Sequence, residues 1–260
     1  RRPSGLPTRP GLSLGTGGST ALTPSGRCPP MSDPTAAARG ESRTRLTEAE
    51  GKRLLANAGI DTPEFEVCTG VDDAIEAADA IGGPVVVKVS SPTVVHKSEW
   101  GGGAGVAVGL DSPGAVADAT ERIFATAAEQ DMDVDVLVEA AQNVDAGTEV
   151  IVGGLRDPSF GPVVLAGLGG VFTEVFEDTS HRIAPVDVAE ARAAIEELQA
   201  ARLLQGYRGS DPVDVDALAR VVATVGDLVV EHEIAELDVN PVLATPDGAT
   251  ALDALVVLEE

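Results

Sequence analysis

Between Thr47 and Glu139 the apolar residues keep changing period, falling on every third or fourth position in one stretch and on consecutive or alternate positions in the next. A chain written in this way has to lay helices against sheet. Thr47-Glu-Ala-Glu50 is a capping box ahead of Leu54, Leu55 and Ala58, which predicts a helix ending near Gly59. Strands are expected over 63–68, 84–90, 104–110 and 134–140. They alternate with helices over 71–81 and from Ser112-Pro113 to about Gln130, and 91–103 is left as a loop. The second half adds strands at 147–154, 162–167 and 171–176, and helices spaced on Val188, Ala191, Ile195 and Leu198 and on Val215, Leu218, Val222, Val225 and Val229. A hairpin closes the chain, with strands over 234–243 and 250–258 joined through an Asp247-Gly248 turn. The fold class is α/β, without an internal repeat.

Of the 260 residues 43% are hydrophobic and 23% charged, a globular composition. Residues 1–30 differ: they are rich in Pro, Gly, Ser and Thr, and hold four arginines and no acid. A disordered extension over 1–43 is expected, with Met31 as an alternative start of the reading frame. Arg1-Arg2 lacks the apolar segment that a twin-arginine export signal needs. From Met31 onward the chain carries all 42 acidic side chains against 14 basic ones. Such an excess repels phosphate backbones and anionic lipid, so neither a nucleic acid nor a membrane is an expected partner. It also suits concentrated salt, where screening removes the self-repulsion. No apolar run reaches the ~20 residues that cross a bilayer, and Cys28 and Cys68 form no metal or redox spacing; a soluble cytoplasmic protein is expected.

Several positions could carry chemistry. In the hairpin a period of two puts Leu237 and Val239 on one face and Asp238 and Asn240 on the other, and the turn brings Asp253 beside Asn240 or one position away. These oxygen donors suit Mg²⁺; a solvated polar face on an edge hairpin is the alternative. Lys88 interrupts an otherwise apolar strand, where an ammonium needs an anion unless it reaches solvent along its stem. The chain has only three lysines, and Lys97 is another of them. Gly101, Gly102 and Gly103, and the run from Gly167 to Val171, could bring bare N–H groups to phosphate oxygens or could simply be turns. His96 is either an exposed loop histidine or a nucleophile whose neutral imidazole takes and passes on a phosphoryl group, with Lys97 stabilising the transferring charge. His181 and His232 make no zinc spacing, and no serine-hydrolase elbow is present.

Taken in order, the blocks 84–106, 136–141, 148–164, 167–185, 236–242 and 251–258 resemble the ATP-grasp β subunit of ADP-forming acetyl-CoA synthetase, a relative of the succinyl-CoA synthetase β subunit. The resemblance runs over about 44–260 and implies an ATP-grasp fold, two α+β subdomains near 60–140 and 141–260 that clamp ATP or ADP. It implies that Lys88 holds nucleotide phosphates under Gly101, Gly102 and Gly103, that Glu139 and Glu149 lie near the adenine and ribose, and that Asn240 and Asp253, with Asp238 beside them, bind Mg²⁺. His96 corresponds to the phosphorylated histidine of the family. The reaction implied is acyl-CoA + ADP + phosphate ⇌ acid + CoA + ATP, with acyl-CoA and phosphate handled by a CoA-binding α subunit in an α2β2 assembly. A succinate-type or other acyl-CoA ligase subunit, and a nucleotide-binding ATP-grasp module without turnover, are the alternatives. Trp100 stands where a small aliphatic residue is expected.

Overall fold

The computed structural model describes residues 43–169, 178–207 and 211–259. The extension expected over 1–43, apart from Arg43, lies outside the described residues, as do the strand expected at 171–176 and the end of the 167–171 glycine run.

A smaller sheet contains β2 (Phe65–Cys68), β3 (Val85–Ser90), β4 (Val106–Leu110) and β5 (Asp135–Ala140), in the order β2-β5-β3-β4 and antiparallel throughout. Two helices cover one face, α2 (Val71–Ile81) and α3 (Pro113–Glu129); α3 starts where the Ser112 hydroxyl accepts from the Ala115 N–H and Pro113 sets the first turn. Alternation along β3 sends Val85, Val87 and Val89 under these helices, against Val116, Ala119 and Ile123. Val86 and Lys88 therefore face the other way.

The larger sheet runs β1 (Arg43–Arg45), β11 (Leu255–Glu259), β9 (Ile234–Thr245), β6 (Thr148–Asp157), β7 (Gly161–Leu168) and β8 (Thr179–Ile183), with β10 (Gly248–Ala251) also on β9. Its main cover is α5 (Val215–Glu231), capped by the Asp214 carboxylate on the Ala217 N–H at 2.8 Å, with α4 (Val188–Glu196) packed beside it. Leu218, Val222, Val225 and Val229 are buried on this sheet, each worth about 1.5–3 kcal/mol of burial. The first helix, α1 (Glu48–Asn57), has the expected reciprocal capping box of Thr47 and Glu50 and buries Leu55 in the same core. The stretch that precedes the smaller sheet thus belongs to the larger one.

The returning strand of the hairpin differs from expectation, because it breaks into β10 and β11 at 252–254. Its register is kept across the break, from Ala251 opposite Val242 to Leu255 opposite Asp238, so Asp253 falls opposite Asn240. Pro241 explains the interruption. The Leu252 N–H donates to the Pro241 carbonyl at 2.9 Å, but proline has no N–H to return, and the Leu252 carbonyl is left for another donor.

Candidate active site

That other donor is the Lys88 ammonium, 2.9 Å away. It crosses a cleft of about 890 Å³ between the two sheets, lined by the helix-free face of β3 and β5, the start of α1 and the interrupted hairpin. Lys88, His96, Lys97, Glu139, Glu149, Asp238, Asn240 and Asp253 all line it. Gly101, Gly102 and Gly103 do not. They form a turn with φ of 57°, 69° and 96°, a backbone that favours glycine, and Gly101 lies against Thr126 of α3.

Every lysine of the chain ends in one buried network. Glu48, in the first turn of α1, receives Lys52 (2.8 Å) and Lys88 (2.9 Å) on Oε1 and Lys97 (3.0 Å) on Oε2. Glu139 receives Lys88 on Oε1 at 2.7 Å and Lys52 on Oε2. Asp253 receives Lys97 on both oxygens, at 3.0 and 2.9 Å. Burial alone would raise the Glu48 pKa, but Lys88, Lys52 and Lys97 outweigh it and hold the carboxyl well below its usual range. Burial likewise would lower Lys88, and Glu48, Glu139 and Asp253 reverse it, keeping the ammonium charged far into alkali. For Lys97, Asp253 and Glu48 overcome burial in the same way. Six charges thus cancel inside the protein, an arrangement that is costly to break at any one member.

Sequence reasoning found Lys88 and Lys97 and missed Glu48 and Lys52. The signal was present: Lys52 is the chain's remaining lysine, it is fully buried, and Glu48 lies one helical turn before it. Glu149 is exposed, whereas Glu139 is 4% exposed with both oxygens taken by lysines.

His96 is exposed at the cleft, and its carbonyl accepts from the Glu99 and Trp100 N–H groups at 3.1 and 3.0 Å. Trp100 packs on the core of the smaller sheet, with its indole Nε1 buried and unpartnered. Further along, a Cβ built on Gly105 would overlap the Lys97 carbonyl oxygen, so only glycine lets the segment close on itself.

The hairpin carries a second unusual carboxylate. Burial, then Glu236 and Asp253, push the Asp238 carboxyl up to about 6, and its Oδ1 is buried without a hydrogen-bond partner. An orphaned acceptor beside Asn240 and Asp253 fits a cation. Among the described residues no three His, Cys, Asp or Glu side chains are grouped so that they could hold a metal ion by themselves.

The ATP-grasp domain family matches residues 37–258. The chain belongs to this family. It is 40% identical over 223 residues to subunit beta of acetate–CoA ligase (ADP-forming) I from Pyrococcus furiosus, covering 85% of this chain and 94% of that one. It matches acetate–CoA ligase (ADP-forming) I from Archaeoglobus fulgidus at 40% identity over 85% of this chain, but spans only 32% of that longer protein. Among solved structures it resembles dinucleotide-forming acetyl-coenzyme A synthetase 1 of Ca. Korarchaeum cryptofilum in complex with coenzyme A, Ca-AMPCP and HgCl⁺, with TM-score 0.78, 39% identity, 86% of this chain and 96% of that chain. A second structure of that enzyme, with coenzyme A and Mg-AMPPCP, has its phosphohistidine segment pointing towards the nucleotide-binding site; the match has TM-score 0.71 and 40% identity over 83% of this chain and 93% of that one. No helix among the described residues is long and apolar enough to cross a membrane.

Proposed function

We propose that this ATP-grasp chain is the nucleotide-binding β subunit of an ADP-forming acyl-CoA ligase, of the acetate–CoA type, and that His96 carries a phosphoryl group between ADP and the acyl site of a CoA-binding α subunit. The observation that carries this reading is the meeting of the exposed His96 with Lys88 and Lys97 in one inter-sheet cleft. The apolar wall of Val86, Val106 and Val108 offers a surface for a base, and Lys88 lies on the same face for the phosphates. Glu139 and Glu149 are the acids proposed near the adenine and ribose, and Gly101, Gly102 and Gly103 give the His96 segment its turn. Similarity over 94% of the Pyrococcus β subunit favours the acetate type, and we read the chain as working with an α partner in an α2β2 assembly in the cytoplasm of a salt-adapted cell.

In the direction of acyl-CoA synthesis the His96 imidazole attacks the γ-phosphorus, the bond to the β-phosphate oxygen breaks, and ADP leaves. Lys88 and Lys97 stabilise the charge on the transferring oxygens. Asp238, Asn240 and Asp253 would hold Mg²⁺, which when bound neutralises nucleotide phosphate charge. The acid's carboxylate then takes the phosphoryl group from His96, and the CoA thiol displaces phosphate from the acyl phosphate. A histidine carrier spans two separated sites while keeping the intermediate from water.

The test is incubation of the full chain with γ-labelled ATP and Mg²⁺ in high salt. An acid-labile, base-stable phosphohistidine is expected, and label surviving in His96→Ala would overturn the assignment. Nucleotide-dependent thermal stabilisation without any phosphoenzyme, even with the α subunit supplied, would instead indicate a binding module.

A further inference from the structure

We propose that Lys97 is an ionic latch that holds the His96 segment against Asp253 and Glu48, and that a divalent cation arriving at Asp253 opens it. The proposal rests on the relay and cation-site readings above, and adds the event that frees the histidine.

The ion pairs are not equivalent. Lys52 and Lys88 are each held by Glu48 and Glu139, whose side chains are 1% and 5% exposed, whereas the Asp253 side chain is 33% exposed and its only lysine partner close enough for an ion pair is Lys97. A cation entering the cleft therefore meets Asp253 first, with the orphaned Oδ1 of Asp238 on the same wall. A hard divalent ion outcompetes an ammonium for a carboxylate, and binding there removes two of the three contacts of Lys97.

The segment is built so that this loss matters. Val94, Trp100 and Ala104 anchor it by apolar burial on either side of residues 95–99. Within 95–99, among the described residues, Lys97 makes the side-chain ion pairs and hydrogen bonds that reach another element. With the apolar anchors in place and Gly101, Gly102 and Gly103 already in left-handed geometry, release of one ammonium frees the stretch that carries His96 without unfolding its ends.

Linkage makes the latch measurable without turnover. If a cation opens it, the closed latch weakens cation binding by the same factor. The experiment uses the full chain with Mg²⁺ alone, at constant ionic strength, reading hydrogen exchange of peptides over 94–104 and the emission of Trp100, the chain's one indole. Saturating Mg²⁺ should speed exchange in this segment about tenfold. Lys97→Gln should exchange fast with or without Mg²⁺ and bind Mg²⁺ about tenfold tighter, and Lys97→Arg should restore wild-type behaviour. Exchange in the wild type that slows or stays unchanged whatever the Mg²⁺ concentration would overturn the latch, as would Lys97→Gln binding Mg²⁺ no tighter. No nucleotide is present, so failed His96 labelling with Mg²⁺-driven exchange intact would sink the relay and leave the latch standing.

Discussion

The Glu139 carboxylate bridges Lys52 of α1 and Lys88 of β3, joining the helix that packs on the larger sheet to the central part of the smaller one. With Glu48 on the same two lysines, this contact makes the floor of the cleft a closed electrostatic unit. Nucleotide phosphates would add negative charge to an already balanced set, so Lys88 has to divide its charge between carboxylates and ligand. Several expectations follow from that balance and from the packing around it.

Glu48→Gln keeps the side chain's shape but leaves three ammonium groups with two carboxylates. A loss of about 3 kcal/mol at neutral pH is expected, read as a lowered urea midpoint. The loss should depend on pH in a definite sense. The folded pKa of Glu48 lies below its ordinary value of 4.5, so its contribution is complete above that value and fades as pH falls below it. The difference between wild type and variant should therefore shrink from pH 5 to about pH 3. A constant difference across that range would show that the loss does not come from the Glu48 charge.

Asp238→Asn removes a buried charge that has no partner for Oδ1. In EDTA the variant should be more stable than wild type by about 1 kcal/mol, because an amide is cheaper to bury than a carboxylate. Mg²⁺ should then raise the Tm of the wild type more than that of the variant. Thermal unfolding with and without Mg²⁺ checks both halves.

Gly154 of β6 faces α5, and a Cβ there would press on Val229 and Val225. Gly154→Ala should cost about 1–3 kcal/mol by overpacking a sheet-helix contact that has no slack. Urea unfolding followed by circular dichroism measures it.

Ile123 is fully buried beneath the smaller sheet, in the cluster on which Trp100 packs. Ile123→Ala should destabilise by about 2–5 kcal/mol and shift Trp100 emission to the red, since the cavity lets water towards the indole. Unchanged emission would mean that Trp100 is held by its own turn instead.

The helices and strands were largely legible in the sequence because their signals are local. The helix read over 71–81 has those bounds, and the helices opened by Thr47 and Ser112 start where their capping side chains accept N–H groups. The alternation of Leu237 and Val239 with Asp238 and Asn240 correctly separated core from cleft, since Leu237 and Val239 are fully buried while Asp238 and Asn240 line the cleft. The split of the last strand was not legible. It depends on Pro241 facing Leu252 across a turn, a pairing that exists only once the register is set.

The sequence by itself determined the alternating architecture, the rarity of lysine and the oxygen-rich hairpin, because period, composition and turn chemistry act over a few residues. Tertiary structure decided that Glu48 and Lys52, on a helix whose capping box says nothing of a site, join Lys88 and Lys97 in one network. It also decided that Asp253, 156 residues after Lys97, is the carboxylate Lys97 grips. Electrostatic partners are chosen by distance and burial in space, and a sequence records which charges are present without recording which of them will be desolvated together.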